Sequence, residues 1–249
     1  MFKEAHRPYV YLGFDDTDIK NFSRGTGRCI RDFCATLDDS YKLECVLRHQ
    51  LPKLSDIPYT SNNSSACAIL SVESIAVADN LFHKAIEFLT RETPEGSDPG
   101  VCLAVHDAID DRLISFALEC TDRKKSQTEA IAATSSVSLA GVGGTHDGII
   151  GAAAAVGLTR YGWSGRFIEL GNMRSLPPVV SVAELSRLGI HVVSVDRDPL
   201  VPLAPHMVNT GGWLRPSLWA GQPVLQVYAT GDGQWSTALE KKSTKSTVS

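Results

Sequence analysis

Tyr9-Val10-Tyr11-Leu12-Gly13-Phe14-Asp15-Asp16-Thr17-Asp18-Ile19-Lys20-Asn21-Phe22-Ser23-Arg24-Gly25-Thr26-Gly27-Arg28 is the stretch from which the rest of the chain is read. Its apolar run, Tyr9 to Phe14, predicts a buried strand. The strand runs into three carboxylates, Asp15, Asp16 and Asp18, around Thr17. A short polar loop then closes on Arg24-Gly25-Thr26-Gly27-Arg28. Ile30, Phe33, Cys34 and Leu37 follow at helical spacing.

Carboxylates crowded at one strand end repel one another, and each has a raised pKa unless a cation sits among them. Mg²⁺ suits that role, because it takes carboxylate oxygens together with phosphate and water. Asp15, Asp16 and Asp18 are therefore the candidate metal ligands and catalytic acids. The glycine loop supplies the complementary half. Gly25 and Gly27 let backbone N–H groups face an anion, and the helix behind adds its positive end. Arg24 and Arg28 can fork onto phosphate oxygens, with Thr17 and Thr26 beside them. Acid at one end of the loop and phosphate-binding features at the other predict a metal–polyphosphate site. The plainer alternative is that these aspartates only cap turns. No GK[ST] follows the glycines, so this is not a Walker loop. Lys20 also breaks the pattern of a phosphatase-type aspartyl nucleophile.

A second glycine loop, Gly143-Gly144-Thr145-His146-Asp147-Gly148, precedes the apolar helix Ile149 to Leu158. It repeats the order strand, glycine loop, helix N-terminus. Gly143, Gly144, Thr145, His146, Asp147 and Gly148 are the candidate substrate residues. The alternative is structural: Asp147 is an N-cap, and Gly151 with Ala152 to Ala155 allows tight helix packing. His106 and Asp107 read as capping residues for a helix from Ala108 to Cys120.

Between these loops the pattern predicts a half-buried strand from Leu43 to Leu51, with Leu43, Cys45, Leu47 and Leu51 on one side. A strand from Ala66 to Val72, a helix from about Ala76 to Arg91 and a strand from Gly100 to Val105 follow. The order is β-α-β-β-α-β, a split βαβ pattern. Helix Gln127 to Thr134, strand Val137 to Val142, strand Arg166 to Leu170, a helix capped by Ser181 and a strand from Ile190 to Val195 complete a second α/β unit. Prolines after Asp196 break any helix. A hairpin around Gly231-Asp232-Gly233 pairs Val224 to Thr230 with Gln234 to Leu239, and the last ten residues read as a frayed polar tail.

The 249 residues are 43% hydrophobic and 21% charged, an ordinary globular profile, with a net charge of -4. That charge argues against a broadly basic nucleic-acid surface. No apolar run reaches the ~18 residues of a membrane span, and the N-terminus lacks the apolar core of a signal peptide. The six cysteines form no CxxC pair and read as reduced core thiols of a cytoplasmic protein.

Gly13-Phe14-Asp15-Asp16-Thr17-Asp18, Arg24-Gly25, Ile57-Pro58-Tyr59, Asp98-Pro99-Gly100-Val101 and Gly148-Ile149-Ile150-Gly151-Ala152 through Gly157, in this order, resemble the tRNA-isoleucine agmatinylcytidine synthetase family and its shorter bacterial relatives. The resemblance covers Tyr9 to Leu170. It implies an α+β protein. Residues 1–97 would be a kinase-like, ferredoxin-like domain with Asp15, Asp16 and Asp18 on Mg²⁺. Residues 98–196 would be a second ferredoxin-like unit; the residue pattern after Asp196 adds a β-rich extension, 197–249. The resemblance implies an ATP-dependent ligase that activates a substrate oxygen by phosphoryl or nucleotidyl transfer. The family's Lys-Thr-Arg-Gly-Asn run is replaced here by Thr60-Ser61-Asn62-Asn63-Ser64, and its Cys-Thr-Thr after Arg-Gly is missing. The paired cysteines of its zinc ribbon are absent too. With a net charge of -4, the expected partners are a nucleotide and a small-molecule acceptor rather than tRNA, with no membrane, and a homo-oligomer is allowed. A non-catalytic nucleotide- or metabolite-binding module is the alternative.

Overall fold

The computed structural model describes residues 7–57, 59–60, 62–196 and 202–238. Its first strand, β1 (Tyr9–Asp15), is covered on both faces. Val10, Leu12 and Phe14 enter one core cluster and Tyr11 enters another. The apolar run is unbroken because alternate side chains serve two cores.

The order that follows is α1 (Thr26–Cys34), β2 (Tyr41–Gln50), β3 (Ser64–Val72), α2 (Ala78–Glu92) and β4 (Gly100–Val105). These strands lie in the spatial order β4-β1-β3-β2, and every neighbouring pair is antiparallel. The chain then forms α3 (Asp111–Glu119), α4 (Gln127–Ala133), β5 (Ser138–Gly141), α5 (Gly148–Tyr161) and β6 (Arg166–Leu170). β7 (Val179–Ser181), α6 (Val182–Arg187), β8 (His191–Ser194), β9 (Met207–Asn209), β10 (Ser217–Trp219), β11 (Gln222–Gly231) and β12 (Gln234–Thr237) complete it. β5 extends the sheet beside β4, β6 extends it beside β2, and the later strands continue from β6 through β10. Among the described residues the result is a mixed α/β fold with one sheet of 12 strands, antiparallel except at β8–β11 and β9–β12. α1 and α2 cover one face and α3 and α5 the other.

The placement of α5 depends on missing side chains. A Cβ on Gly13 would lie 2.2 Å from the Ala152 carbonyl oxygen, and one on Gly100 would lie 2.1 Å from the Gly148 carbonyl carbon. Helix backbone therefore rests on strand backbone, as the run of small residues in α5 predicts. Gly162, in the left-handed region at φ 82°, ends the helix.

Several expected boundaries move. The side-chain alternation in β2 is interrupted by a bulge between Leu43 and Cys45. Cys45 and Leu47 face the α5 core, whereas Leu43 packs on the α1–α2 side. α3 begins at Asp111 rather than Ala108. Its cap is Asp110, which accepts the N–H groups of Arg112 and Leu113, both at 3.1 Å. His106 and Asp107 instead form a 3₁₀ turn, and His106 Nδ1 meets the Tyr11 hydroxyl at 3.1 Å. Ser181 caps α6 as its sequence suggests, in a capping box with Glu184. The glycine-centred hairpin forms, but Leu239 and the polar tail lie outside the described residues. All six cysteines are free and buried. Among the described residues no helix is long and apolar enough to cross a membrane.

His49 on β2 is wholly buried, with Nε2 2.8 Å from the Thr159 hydroxyl on α5. Burial pushes its pKa down to about 3. As pH falls below its unfolded pKa of about 6.5, the unfolded chain takes the proton first. This contribution to stability is complete above that pH and is lost on the way down to 3, by at most about 5 kcal/mol. A His49→Gln variant should be less stable near neutrality but should melt with a shallower dependence on pH between about 6.5 and 4.5. Calorimetry across that range checks this; parallel curves for the two proteins would contradict it.

Candidate functional site

Asp15 is the last residue of β1 and points toward α5. One of its carboxylate oxygens lies 1.7 Å from where a Cβ on Gly151 would stand. Gly151 is thus glycine because Asp15 occupies its side-chain position. Asp16 turns the chain through the left-handed region at φ 50°. Its carbonyl accepts the Asp98 N–H at 3.2 Å. Thr17 points inward, fully buried, with its hydroxyl 3.3 Å from that of Thr26. Asp18 faces outward again and accepts the Thr60 hydroxyl at 3.2 Å. Asp15, Asp16 and Asp18 all line one cleft of about 590 Å³, together with Thr26, Asp147 and Gly151.

The electrostatics of this end are those of uncompensated acids. Burial, with the nearby charges of Asp16 and Asp18, pushes the Asp15 carboxyl up to about 8. Burial also pushes Asp16 up to about 7, and Asp98, Asp18 and Asp147 add to it. Asp18 is raised by burial as well, partly offset by the Thr60 hydroxyl. Two helix N-termini approach the same acids. Gly25 stands at the N-cap of α1 and Asp147 at that of α5, and neither end has a side-chain cap. In α5 the Ile149 and Ile150 N–H groups already donate to the His146 and Asp147 carbonyls, and in α1 that of Arg28 donates to Gly25, so the N–H groups of Thr26 and Gly27 are the ones that can meet an anion.

Asp98, not among the expected site residues, holds the two loops together. Its carboxylate accepts the Thr145 hydroxyl at 2.5 Å, the His146 N–H at 2.6 Å and the Asp147 N–H at 3.0 Å. The second glycine loop therefore turns its N–H groups onto Asp98 rather than outward. Of its six residues only Asp147 and Gly148 line the cleft; Gly143, Gly144, Thr145 and His146 do not. The Asp-Pro-Gly spacing just before β4 was the available signal, since an acid before a tight backbone approach is placed to cap a neighbouring loop.

The first glycine loop is divided too. Gly25 lies beside Asp18, and Thr26 lines the cleft. Gly27 packs against Ile168, where a Cβ would come within 2.7 Å of that side chain. Arg24 is committed elsewhere. It pairs with Glu92 at 3.4 Å and donates to the Glu92 carbonyl, with its guanidinium about 6 Å from the Phe22 and Phe88 ring centres. Arg28 is exposed and pairs with Asp32 at 3.7 Å. Neither arginine lines the cleft. The cations that do are Arg123, Lys124 and Lys125, from the α3–α4 connection. Lys124 donates to the Asp56 carbonyl at 2.7 Å, and Lys125 is held between Glu119 and Glu129. In the sequence this charge run reads only as a break between helices.

Among the described residues no three His, Cys, Asp or Glu side chains converge on a point that could hold a metal ion. Asp15, Asp16 and Asp18 share one cleft without their three carboxylates meeting at one point. A cleft with neighbouring unneutralised carboxylates still suits Mg²⁺, which commonly takes one or two protein carboxylates and completes its shell with phosphate and water.

No family model and no curated protein sequence matches the chain. Solved structures share its fold. A tRNA fluorescent labelling enzyme is 22% identical, with a TM-score of 0.51 over 60% of this chain and 36% of its own. TiaS in complex with an isoleucine tRNA, AMPCPP and agmatine is 20% identical, with a TM-score of 0.50 over 61% of this chain and 36% of its own. The chain thus spans about a third of the length of these structures, and at this identity the likeness is one of fold.

Gly151→Ala should destabilise the protein and displace the Asp15 carboxylate, because the new methyl cannot share its position. In an Asp15→Ala background the same substitution should cost substantially less, leaving a coupling on the order of 1 kcal/mol or more. Additive melting data from the double-mutant cycle would show that the two residues do not compete for this space.

Proposed function

We propose that the cleft at the end of β1 binds ATP with Mg²⁺ and that the chain transfers a phosphoryl or nucleotidyl group to an oxygen of a second substrate. The observation that carries this reading is the convergence of Asp15, Asp16 and Asp18 on one cleft, their carboxyls raised by burial, beside the N-terminus of α1, which has no side-chain cap. Acids that lack cations in the folded chain suit a ligand that brings one. Helix ends without caps suit a ligand that brings negative charge. The fold supports the same reading, since the TiaS complex holds AMPCPP, an ATP analogue, with agmatine and tRNA.

In this reading β4-β1-β3-β2 with α1 and α2 is the ferredoxin-like, kinase-like unit of 1–97 extended by β4. Residues 98–196 contribute α5 and the second loop to the same cleft. Asp15 and Asp16 would hold Mg²⁺, with Asp18 beside them. Bound there, the ion would neutralise phosphate oxygens as charge moves onto the leaving group. The N–H groups of Thr26 and Gly27 at the start of α1 would receive phosphate oxygens. Asp98 is a positioning residue that holds Asp147 and the start of α5 against the acids. The acceptor oxygen would attack phosphorus in line, and the bond from phosphorus to the bridging oxygen would break. Attack at the γ position releases the nucleoside diphosphate, and attack at the α position releases pyrophosphate. The acceptor would enter from the side of Asp147 and the Arg123–Lys125 run. Nothing in the fold sets tRNA aside, and the net charge argument against it carries little weight beside a fold seen bound to tRNA.

A second reading, a nucleotide-binding module without turnover, is favoured by one observation: Arg24 and Arg28 are both paired away from the cleft. Binding and turnover measured together separate the two. Isothermal titration with ATP and Mg²⁺ should show saturable heat, and Asp16→Asn should weaken binding by about tenfold or more. Heat indistinguishable from that of the Asp16→Asn protein would contradict the proposal. Saturable binding without release of ADP or pyrophosphate would favour the module.

A further inference from the structure

The cleft accounts for the acids of this protein and leaves an arginine cluster unused. Arg48 on β2 and Arg166 on β6 are direct partners across the sheet. His49, next to Arg48, reaches Thr159 on α5, and Phe167, next to Arg166, packs in the α5 core. Arg48 and Arg166 therefore point to the opposite face, away from α5. Arg31 reaches the same face from α1, Arg174 from the turn after β6, and Arg215 from the segment before β10. Glu169 is the carboxylate that serves them, pairing with Arg31 at 3.5 Å and Arg174 at 3.8 Å.

The remaining guanidiniums make no ion pair, although the Glu169 charge reaches Arg215 at longer range. Arg166 donates to the Ser217 hydroxyl at 3.2 Å, and Arg215 to the Leu214 carbonyl at 2.6 Å while lying over the Trp213 ring. Among the described residues the Arg48 guanidinium has no hydrogen bond or ion pair, although the residue is half-buried. Burial and the charges of Arg174, Arg31 and Arg48 push the Arg215 pKa down to about 10. In a chain of net charge -4, this much unmatched positive charge on one face is the reverse of the average. Half-buried cations without counterions are costly unless something anionic covers them.

We infer that Arg48, Arg166, Arg215 and Arg31 form a binding site for phosphoryl groups, separate from the cleft. All of these residues are arginine, whose planar fork matches tetrahedral oxyanions in pairs, a geometry that lysine cannot reproduce. Arg48 and Arg166 sit on adjacent strands with Cα atoms about 5 Å apart, close enough for both forks to reach one phosphoryl group. The single carboxylate of Glu169 leaves several charges unmatched, which favours a multiply charged ligand over a simple carboxylate. The site does not depend on the nucleotide reading of the cleft.

Two sources of phosphoryl groups are distinguished by two titrations of the full chain in EDTA, which keeps metal out of the cleft. One uses inorganic pyrophosphate, followed by calorimetry. The other uses a short fluorescein-labelled oligoribonucleotide, followed by anisotropy at two salt concentrations. Saturable binding is expected in at least one titration. It should weaken by about tenfold in Arg48→Gln and in Arg166→Gln, and less in Arg166→Lys, which keeps the charge without the fork. Asp16→Asn should bind as the unaltered protein does. Pyrophosphate binding assigns a small phosphorylated ligand. Binding of the oligonucleotide alone, steeply salt-dependent, assigns nucleic-acid phosphates. Absence of binding in both titrations would overturn the inference, as would binding unchanged in folded Arg48→Gln and Arg166→Gln or lost in Asp16→Asn.

Discussion

The backbone of α5 rests directly on the backbone of β1 and β4, with no side chain between them, and the rest of the structure follows from that contact. It requires glycine at Gly13 and Gly100 on the strands and small residues along the facing side of the helix. It also fixes how far the helix N-terminus reaches past the strand ends. There Asp15 takes the space a side chain at Gly151 would fill, so an acid is driven against the positive end of a helix. A larger residue at any of these positions would lift the helix and separate the acids from both glycine loops.

Charge is sorted between the two faces of the sheet. On the α5 side, acids from β1, from the turn before β4 and from the loop before α5 meet without enough cations. On the α1 side, arginines from five segments meet one carboxylate. Neither concentration is neutralised within the described residues, and each is half-buried, where solvent compensates least. Folding alone gives no reason to keep like charges together at such cost. Binding sites commonly do, because the ligand supplies what the protein lacks. The opposite signs of the two regions suit two different ligands, one that brings a cation to the acids and one that brings negative charge to the arginines.

Much of the fold could be read from residue patterns because its signals are local. β1, β4, α1, α2 and β6 lie where periodicity places them, and the capping box at Ser181 marks α6 correctly. The misses have physical causes. The bulge in β2 moves Leu43 to the other core, and an alternation rule has no means of seeing an inserted residue. Asp110 rather than Ala108 starts α3, since several acids close together leave the cap ambiguous. The three-residue strands β7, β9 and β10 are too short for any period to show. At the site, the acids were legible because crowding them is costly wherever they lie. The fate of Arg24 was not, because its partners Glu92 and Phe88 come from α2, far along the chain. Arg123 and Lys124 reach the cleft, and Asp98 the loop beside it, only through tertiary packing.

A crystal structure of the protein with Mg²⁺ and a non-hydrolysable ATP analogue tests the nucleotide site most directly. A metal ion should bridge Asp15 or Asp16 and the phosphate chain, with phosphate oxygens on the N–H groups of Thr26 and Gly27 and with Gly151 still pressed against Asp15. An analogue bound away from β1, or acids of β1 left bare beside an occupied nucleotide, would contradict it.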